Sequence, residues 1–359
     1  ASTALPQGGS ISAGSATIST TGAAMAITQS TDKASINWQS FNIGSAASVN
    51  IAQPSATSVL LNRVVGNDPS QILGKLSANG QVILLNPNGV VFGKDGSVTA
   101  SAFTASTFGM TEDDFIKGKR KFSRNGSTAS VTVEEGASIN TTTPGGYIAL
   151  IAANVNNQGT LSTQQGAVVM ASAETVALPS TLVDNVGIPL SSKVRLELSP
   201  STINASVDNG GTITTEGGQV LMQAAAVSDA VASITHTGTI DTTGEQGGAV
   251  TLQADHGIIK ATGTIKANSK NAKNKGADIV IGRYDKIDPV TGKKTTVLAK
   301  ATDVSGARLE SQGGFVETSG DWLATNETRV KAKDWLLDPV NITIASSASG
   351  SAYSDPNGT

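Results

Sequence analysis

Side chains able to catalyse a reaction or bind a metal are few in this sequence and lie far apart. The 359 residues contain no cysteine and only two histidines, His236 and His256. Without cysteine, disulfide frameworks, thiolate metal sites and cysteine nucleophiles are excluded. Two isolated histidines also argue against most zinc sites and histidine-based triads. We therefore predict no catalytic residue, no metal and no cofactor.

Three aspartates provide the strongest alternative, an acidic metal site like that of β-helical polysaccharide lyases. They are Asp278, Asp285 and Asp288. They have no clear partners at matching positions of neighbouring repeats, and such enzymes also need a positioned basic residue. The interpretation favoured by the sequence is that the chain is not an enzyme.

The densest basic cluster follows an acidic run, Glu112-Asp113-Asp114. We expect a solvated face beside these acidic neighbours, with binding to an acidic partner as the alternative. The net charge of −3 gives no whole-chain reason to expect nucleic acid or an anionic membrane as a partner. No window approaches the roughly 18 apolar residues of a membrane span, and no signal peptide is recognisable at Ala1. The cluster consists of Lys117, Lys119, Arg120, Lys121 and Arg124.

The elements that position these residues are short strands, because β-branched runs bounded by glycine and asparagine recur and helical periodicity is scarce. Gly-Thr-Ile occurs at 211–213, 238–240 and 263–265, which places the isoleucines 27 and 25 residues apart. A period in the mid-twenties without a helix is typical of one coil of a parallel β-helix. Small inward side chains then stack and fill a narrow tube, and the length allows on the order of 11 coils.

The predicted architecture is all-β: one right-handed parallel β-helix over residues 1–345. Residues 1–35 are polar and β-prone, so we expect them to form an amino-terminal β cap over the first coil. The serine-rich segment 346–359 is predicted to be a flexible tail. Three stretches interrupt the repeat and are expected to leave the tube as hairpin excursions; they lie near 109–130, 178–208 and 283–305.

Several ordered phrases resemble the amino-terminal secretion domain of the filamentous haemagglutinin and high-molecular-weight adhesin family. This family is the exported partner of two-partner secretion in Gram-negative bacteria. The resemblance is dense over residues 1–108 and 313–345. The phrases are Ile36-Asn-Trp38-Gln-Ser-Phe41-Asn42-Ile43, Leu61-Asn62-Arg63-Val64, Leu85-Asn86-Pro87-Asn88-Gly89-Val90, Gly313-Gly-Phe315-Val-Glu317-Thr-Ser319-Gly320 and Asp334-Trp335-Leu-Leu-Asp338-Pro339.

The phrase Asn86-Pro87-Asn88-Gly89 is physically a turn, because proline fixes φ and Asn-Gly tolerates the left-handed region. It would therefore form a corner between coils. In the family this motif is needed for export, which can itself be a folding effect. The resemblance assigns Asn62 and Arg63 to the same secretion or transporter-recognition set. The second family motif, Asn-Pro-Asn-Leu, has no match here.

Trp38, Phe41 and Asn42 are expected to be cap or anchor residues. They could contact a partner, but Trp38 and Phe41 alternate with Ile36 and Ile43. This alternation favours burial at the amino-terminal end of the tube.

The resemblance implies a secretion-targeting module of a large adhesin-like exoprotein. It would cross the periplasm unfolded, bind the POTRA domains of a TpsB outer-membrane β-barrel transporter, and nucleate β-helix folding at the cell surface. The absence of cysteine fits passage through an oxidising compartment and a pore. We expect a secreted or surface-located monomer. One alternative is that the rod itself binds host glycans or proteins through its excursions, and a polysaccharide lyase is a third hypothesis.

Overall fold

The computed structural model describes residues 1–341, and its regular structure is almost entirely β-strand. The segment 346–359, predicted to be a flexible tail, lies outside the described residues. The end of the predicted domain 1–345 lies outside them too, so that boundary stays a prediction.

Residues 1–341 form 36 strands and two short helices. The helices are α1 (Glu112–Ile116) and α2 (Ser180–Val183). The strands are β1 (Ser10–Ala13), β2 (Ala16–Thr21), β3 (Ala24–Gln29), β4 (Lys33–Trp38), β5 (Ser48–Ala52), β6 (Val59–Val64), β7 (Ser70–Ile72), β8 (Lys75–Ala78), β9 (Gln81–Leu85), β10 (Val90–Phe92), β11 (Ser97–Ala100), β12 (Ala102–Ser106), β13 (Arg120–Ser123), β14 (Ser130–Val133), β15 (Ser138–Thr141), β16 (Tyr147–Ile151), β17 (Asn154–Asn157), β18 (Thr160–Ser162), β19 (Ala167–Ser172), β20 (Thr175–Leu178), β21 (Glu197–Ser199), β22 (Ala205–Asn209), β23 (Thr212–Thr214), β24 (Gln219–Ala225), β25 (Ala232–His236), β26 (Thr239–Asp241), β27 (Val250–Asp255), β28 (Ile258–Ala261), β29 (Thr264–Lys266), β30 (Ile279–Ile281), β31 (Arg283–Ile287), β32 (Lys294–Leu298), β33 (Ala301–Asp303), β34 (Arg308–Gly320), β35 (Trp322–Ala324) and β36 (Arg329–Pro339).

Most strands stack in parallel into three faces, which the chain visits in the order face 1, face 2, face 3. Face 1 contains β5, β8, β11, β15, β18, β23, β26, β29 and the first halves of β34 and β36. Face 2 contains β4, β6, β9, β12, β16, β19, β24, β27, β30 and the second halves of β34 and β36. Face 3 contains β7, β10, β14, β17, β22, β25, β28, β33 and β35. The predicted parallel β-helix is therefore confirmed.

The register places the repeated isoleucines in one column of face 1. Ile213 pairs with Ile240, which pairs with Ile265. These side chains are fully buried, because the tube interior removes apolar surface from water at every coil. The same column continues through Val49, Leu76, Val98, Ile139, Leu161, Leu309 and Val330.

The first residues form the predicted β cap. β2 and β3 make an antiparallel pair, and β3 continues in parallel into β5. β1 pairs antiparallel with β4. Met25 and Ile27 of β3 belong to the core of the tube. Within residues 1–341, β1 and β2 each pair with one strand, so each has a further edge that no described strand occupies.

All three excursions leave the tube at the corner between face 2 and face 3. They connect β12 to β14, β19 to β22, and β30 to β33. The first contributes α1 and β13, and the second contributes β20, α2 and β21. Strands β13, β20 and β21 form one antiparallel sheet. The third is a hairpin of β31 and β32. The fold thus carries the extra-helical hairpins that the sequence predicts.

The first two excursions cover the outer side of face 2 and create a second apolar core. Every residue of β9, β12, β16 and β19 is buried, on both sides of the sheet. Outward residues such as Ile83 and Val169 pack in one cluster with Phe122 and Leu182 of the excursions. The tube therefore shares a dry interface with its own insertions along this face.

The prediction of a solvated basic face is wrong for two of its five residues. Arg120 and Arg124 are only 5% and 7% exposed, whereas Lys117, Lys119 and Lys121 are exposed. Arg124 buries its apolar stem while its guanidinium pairs with Glu174, whereas Arg120 lies over the Phe115 ring and its Nε and Nη1 have no hydrogen-bond partner in residues 1–341. The alternating pattern of β13 turns Arg120 and Phe122 toward the tube and Lys121 toward solvent.

Candidate secretion-motif site

The segment Asn86-Pro87-Asn88-Gly89 connects β9 to β10 at the corner between face 2 and face 3. This is the corner from which the excursions leave, one coil before the first of them. The backbone N–H of Gly89 donates to the carbonyl of Asn86 at 3.1 Å, which closes a tight turn. Gly89 has a φ of 124°, a conformation that favours glycine. The segment is thus located at a corner between coils.

Asn86 is fully buried and uses both ends of its side-chain amide inside the protein. Its Nδ2 donates to the carbonyl of Asp68 at 3.0 Å and to Oγ of Ser70 at 2.9 Å. Its Oδ1 accepts from the backbone N and from Nδ2 of Asn88, at 3.0 and 2.9 Å. The Asn88 amide also donates to the carbonyl of Gly66 at 2.9 Å. These bonds fasten the corner to the connection between β6 and β7.

Asn62 and Trp38 meet inside the first coils. Asn62 lies in an inward column of β6 and is fully buried. The indole Nε1 of Trp38 donates to Oδ1 of Asn62 at 3.0 Å, and Nδ2 of Asn62 donates to the carbonyl of Ile83 at 3.3 Å. Trp38 packs edge-on against Phe41, with 5.6 Å between ring centroids. Because a buried amide without partners is costly, the tryptophan compensates for a polar residue within the tube.

Asn42 contributes a hydrogen bond at the next corner of the same coil. Its Oδ1 accepts from the backbone N of Gln71 at 2.8 Å, beside the bridge between Ile43 and Ile72. Phe41 next to it is 1% exposed. The structure therefore places these cap residues within the coil-to-coil contacts.

Arg63 and the corner motif both hold the first excursion. Nη2 of Arg63 donates to the carbonyl of Met110 at 2.6 Å, where the excursion begins. Oγ of Ser127, where it ends, donates to the carbonyl of Pro87 at 2.8 Å. A cavity of about 420 Å³ remains between these contacts. The resemblance to the secretion-domain family singled out Arg63 and Pro87 as candidate site residues. Nothing in the sequence indicated that both contact the first excursion.

The first excursion also contacts the cap. Oγ of Ser12 in β1 donates to a carboxylate oxygen of Glu112 at 2.7 Å. Nζ of Lys33 donates to the carbonyl of Ile116 at 2.7 Å. The helix α1 that carries these groups begins at Thr111, whose Oγ1 accepts from the backbone N of Asp114 at 3.1 Å. Threonine before three acidic residues is a helix-start signal, and the sequence-based prediction missed it.

Two buried arginines anchor the sheet of the first two excursions. Arg124 makes a bidentate pair with Glu174, with Nε and Nη2 at 2.9 and 3.2 Å from the two carboxylate oxygens. These hydrogen bonds hold the pKa of Glu174 below its usual value. The guanidinium carbon of Arg120 lies 5.7 Å from the centroid of the Phe115 ring. Burial raises the pKa of the neighbouring Tyr147.

His236, which the sequence leaves isolated, ends a ladder of buried amides in face 3. Nδ2 of Asn157 donates to Oδ1 of Asn209 at 2.9 Å, and Nδ2 of Asn209 lies 3.2 Å from Nδ1 of His236. Nε2 of His236 lies 3.0 Å from the carbonyl of Thr264. A carbonyl only accepts, so the contacts assign the proton to Nε2 and leave Nδ1 as the acceptor. Burial lowers the pKa of His236.

Two of the three aspartates considered as metal ligands, Asp285 and Asp288, have structural partners. Asp285 lies 3.5 Å from Arg283 and 3.1 Å from Lys294. Asp288 accepts from two backbone N–H groups of its own hairpin turn. In residues 1–341, no group of three or more His, Cys, Asp or Glu side chains is arranged to hold a metal ion. None of the described helices has the length and apolar character needed to cross a membrane.

Two solved structures share this fold. The secretion domain of HMW1 from Haemophilus influenzae superposes with a TM-score of 0.69 at 24% identity, over 93% of this chain and all of that one. The filamentous hemagglutinin secretion domain gives a TM-score of 0.52 at 14% identity, over 93% of this chain and 98% of that one. At these identities the likeness concerns the fold.

Curated relatives match the chain in sequence over a shorter range. Two heme/hemopexin-binding proteins of Haemophilus influenzae are 47% identical over 103 residues and 46% identical over 88 residues. The matches cover 29% and 24% of this chain but only 11% and 10% of those proteins.

A family model, the TPS secretion domain, matches residues 2–267, which include the cap and the corner motif. Such domains belong to exported proteins of Gram-negative bacteria and imply a TpsB transporter as partner in general. This chain belongs to the TPS secretion domain family.

Proposed function

We propose that this domain is the export signal of a large adhesin-like exoprotein, recognised by the POTRA domains of its TpsB transporter, and that it nucleates β-helix folding at the cell surface. The observation that carries the folding part of the proposal is the state of Asn86. Its side chain is buried and bonded at both ends. A transporter cannot contact this amide in the folded domain, so its contribution is made when the corner forms.

The corner motif supports folding because it joins consecutive coils and the first excursion. Asn86 and Asn88 bind the connection that precedes them, and Pro87 accepts a bond from Ser127. A parallel β-helix grows by adding coils to an existing edge. A coil with a fixed corner therefore offers a defined template to the next one.

The cap supports the recognition part of the proposal. Among the described strands, β1 and β2 each have an edge without a strand neighbour, and their side chains are mostly exposed. Extended segments bind partner sheets by adding a strand through main-chain hydrogen bonds. We propose that the same segment, while unfolded in the periplasm, pairs with a POTRA sheet and later folds into the cap.

The test is a secretion assay with matched asparagine substitutions. We expect Asn86→Ala to lower both the secreted amount and the stability of the purified domain. Soluble POTRA domains of the transporter should bind its unfolded amino-terminal segment as tightly as the wild-type segment. Asn140→Ala is the control, because Asn140 lies half-buried on the outer side of face 1. Deleting residues 1–35 should abolish POTRA binding.

Two outcomes would contradict the proposal. If Asn86→Ala weakens POTRA binding and leaves stability unchanged, the transporter reads the motif directly. If POTRA domains do not bind the unfolded segment and export survives deletion of residues 1–108, the domain is not the export signal.

The remaining parts of the proposal follow from the family. We propose a non-enzymatic, monomeric domain that passes the periplasm and stays on or leaves the cell surface. The relatives are named for binding heme and hemopexin, but they are matched over only about a tenth of their length. Their ligands are therefore not assigned to this domain.

A further inference from the structure

A cleft of about 530 Å³ separates the second excursion from the third on the outer side of face 2. Hydrogen bonds hold its two walls together. Oη of Tyr284 donates to the carbonyl of Leu196 at 2.8 Å, and Nη1 of Arg195 donates to the carbonyl of Asp285 at 3.2 Å. The volume falls within the roughly 300 to 1,000 Å³ of ligand-binding clefts. The inference that follows does not depend on the proposed export function.

Gln223 of β24 lines this cleft and is 1% exposed. Neither Oε1 nor Nε2 of Gln223 has a hydrogen-bond partner within residues 1–341, and both atoms are covered, so a ligand pairs with them only when the side chain turns into the cleft. Its column on the outer side of face 2 is apolar just before it, with Ile151 and Ala171 at the paired positions. A buried amide without partners destabilises a protein, and an apolar residue here would avoid that cost. A ligand that supplies hydrogen bonds to the Gln223 amide would therefore remove this cost.

Five of the ten other residues that line the cleft are apolar, and its four charged residues, Arg195, Glu197, Asp255 and Lys286, carry two positive and two negative charges. Asp255 forms an ion pair with Lys286 at 3.0 Å. Ile287 is 49% exposed at the rim, although an aliphatic side chain there gains by being covered. The ligand that suits this surface is neutral and aliphatic and presents one donor and one acceptor side by side. The apolar lining consists of Pro179, Leu196, Leu198, Ile287 and Pro289.

We propose that this cleft binds an extended peptide segment of a partner protein, and that the Gln223 amide pairs with the backbone N–H and C=O of one aliphatic residue. In an extended strand these two groups of one residue point to the same side, which matches the donor and acceptor of a primary amide. A saccharide is disfavoured, because its many hydroxyls would face proline, leucine and isoleucine without partners.

The test uses the folded full chain, a synthetic array of blocked pentapeptides with an aliphatic central residue, and a glycan array in parallel. Array hits are measured in solution by fluorescence anisotropy. We expect Gln223→Leu to weaken peptide binding about tenfold or more and to raise the melting temperature of the free domain. Gln253→Leu is the matched control. Gln253 is equally buried in the next coil and its Oε1 is also without a partner in residues 1–341, but its Nε2 donates to the carbonyl of Val297 and to Oδ1 of Asp255, both at 3.2 Å. This variant should melt earlier and bind the peptide within about twofold of wild type.

A modified peptide tests the pairing itself. Methylating the backbone nitrogen of the central residue removes one donor, so it should weaken binding to wild type and have no further effect on Gln223→Leu. The proposal is overturned if no array peptide binds, if Gln223→Leu binds peptide as well as wild type, or if the ligands come from the glycan array. A lower melting temperature for Gln223→Leu would also overturn it, because the amide would then have a partner in the free protein.

Discussion

The outer side of face 2 differs between its amino-terminal and carboxyl-terminal parts. From β6 to β19 the outward residues include Leu61, Ile83 and Val169, and the first two excursions cover them. The same outward column still carries Leu221 in β24 but Thr251 in β27, and the neighbouring outward column changes from Ala171 to Gln223 and Gln253. The first part has an apolar core on each side of one sheet; the outer core ends with Leu221 and Ala225 of β24 and has no member in β27.

The difference shows that insertions in a β-helix can change the chemistry of the tube itself. A tube face open to solvent must be polar outside, and a covered one can be apolar on both sides. Where the covering excursion ends, polar residues return and a cleft is left. The amino-terminal part therefore buries more apolar surface, although β24 and β27 are buried as well, and the following substitutions test that contrast.

The largest effect is expected from Phe122→Ala in β13, a residue with no exposed surface in the second core. The cavity left behind should lower the free energy of unfolding by about 3 to 5 kcal/mol. Val297→Ala in the hairpin of the third excursion removes less buried surface, so its loss should be about 1 to 2 kcal/mol. Urea unfolding measures both. If both variants lose the same free energy of unfolding, the amino-terminal and carboxyl-terminal parts do not differ in the way described.

A smaller loss, about 1 to 3 kcal/mol, is expected from Asn86→Ala, because it leaves the buried groups of Ser70 and Asn88 without their partner. Asn140→Ala should stay within about 0.5 kcal/mol of wild type. Chemical denaturation at neutral pH provides the comparison. If the two variants are equally stable, the corner does not contribute to folding.

His236 makes the carboxyl-terminal part sensitive to acid. Because the pKa of His236 is lowered in the folded state, the unfolded chain binds the proton first as the pH falls below about 6.5, the ordinary value for histidine. Stability should then fall with decreasing pH, by up to about 1.4 kcal/mol per pH unit, until the folded-state pKa is reached. His236→Asn extends the asparagine ladder and should remove this dependence. Unfolding curves measured between neutral pH and pH 5 test this prediction. If the free energy of unfolding depends on pH equally in wild type and His236→Asn, His236 is not the acid-sensitive group.

The smallest effect belongs to the Arg124 and Glu174 pair. The folded-state pKa of Glu174 is lowered, so its contribution is present above the unfolded value of about 4.5 and is lost as the pH falls through the folded pKa. Glu174→Gln should cost about 0 to 1 kcal/mol at neutral pH, since the carboxylate is partly exposed. The difference from wild type should vanish in acid. A constant difference across this range would show that shape, and not charge, matters at this position.

The spacing of the repeats was sufficient to predict the tube. The isoleucines at 213, 240 and 265 occupy one register column, because a coil-to-coil period forces equivalent residues to stack. The motif at 86–89 was correctly placed at a corner, since its residues specify turn geometry locally. Local chemistry and a regular period are both visible in one sequence.

The contacts of the excursions could not be predicted in the same way. Arg124 meets Glu174 from 50 residues away, and nothing local marks either as a partner. The charges around Arg120 indicate solvent exposure, while only its alternation with Phe122 indicates burial. The contacts of His236 were missed as well, because its amide partner Asn209 comes from the preceding coil and Asn209 in turn bonds to Asn157, from which an excursion separates it. Long-range pairing without periodicity leaves no sequence signal.

The antiparallel sheet of the excursions also determines the order in which parts of the domain can fold. In the first coils, paired strands lie little more than twenty residues apart, whereas β13 must wait for β20 about fifty residues later, and β20 must wait for β21. A chain delivered from its amino terminus therefore completes its first coils while Leu61, Ile83 and Val169 are still bare. This partly folded chain exposes a row of aliphatic side chains until residues 175–199 have been exported and can fold over it. The rate of chain delivery, rather than the stability of the finished rod, then decides how long the growing protein is exposed to aggregation.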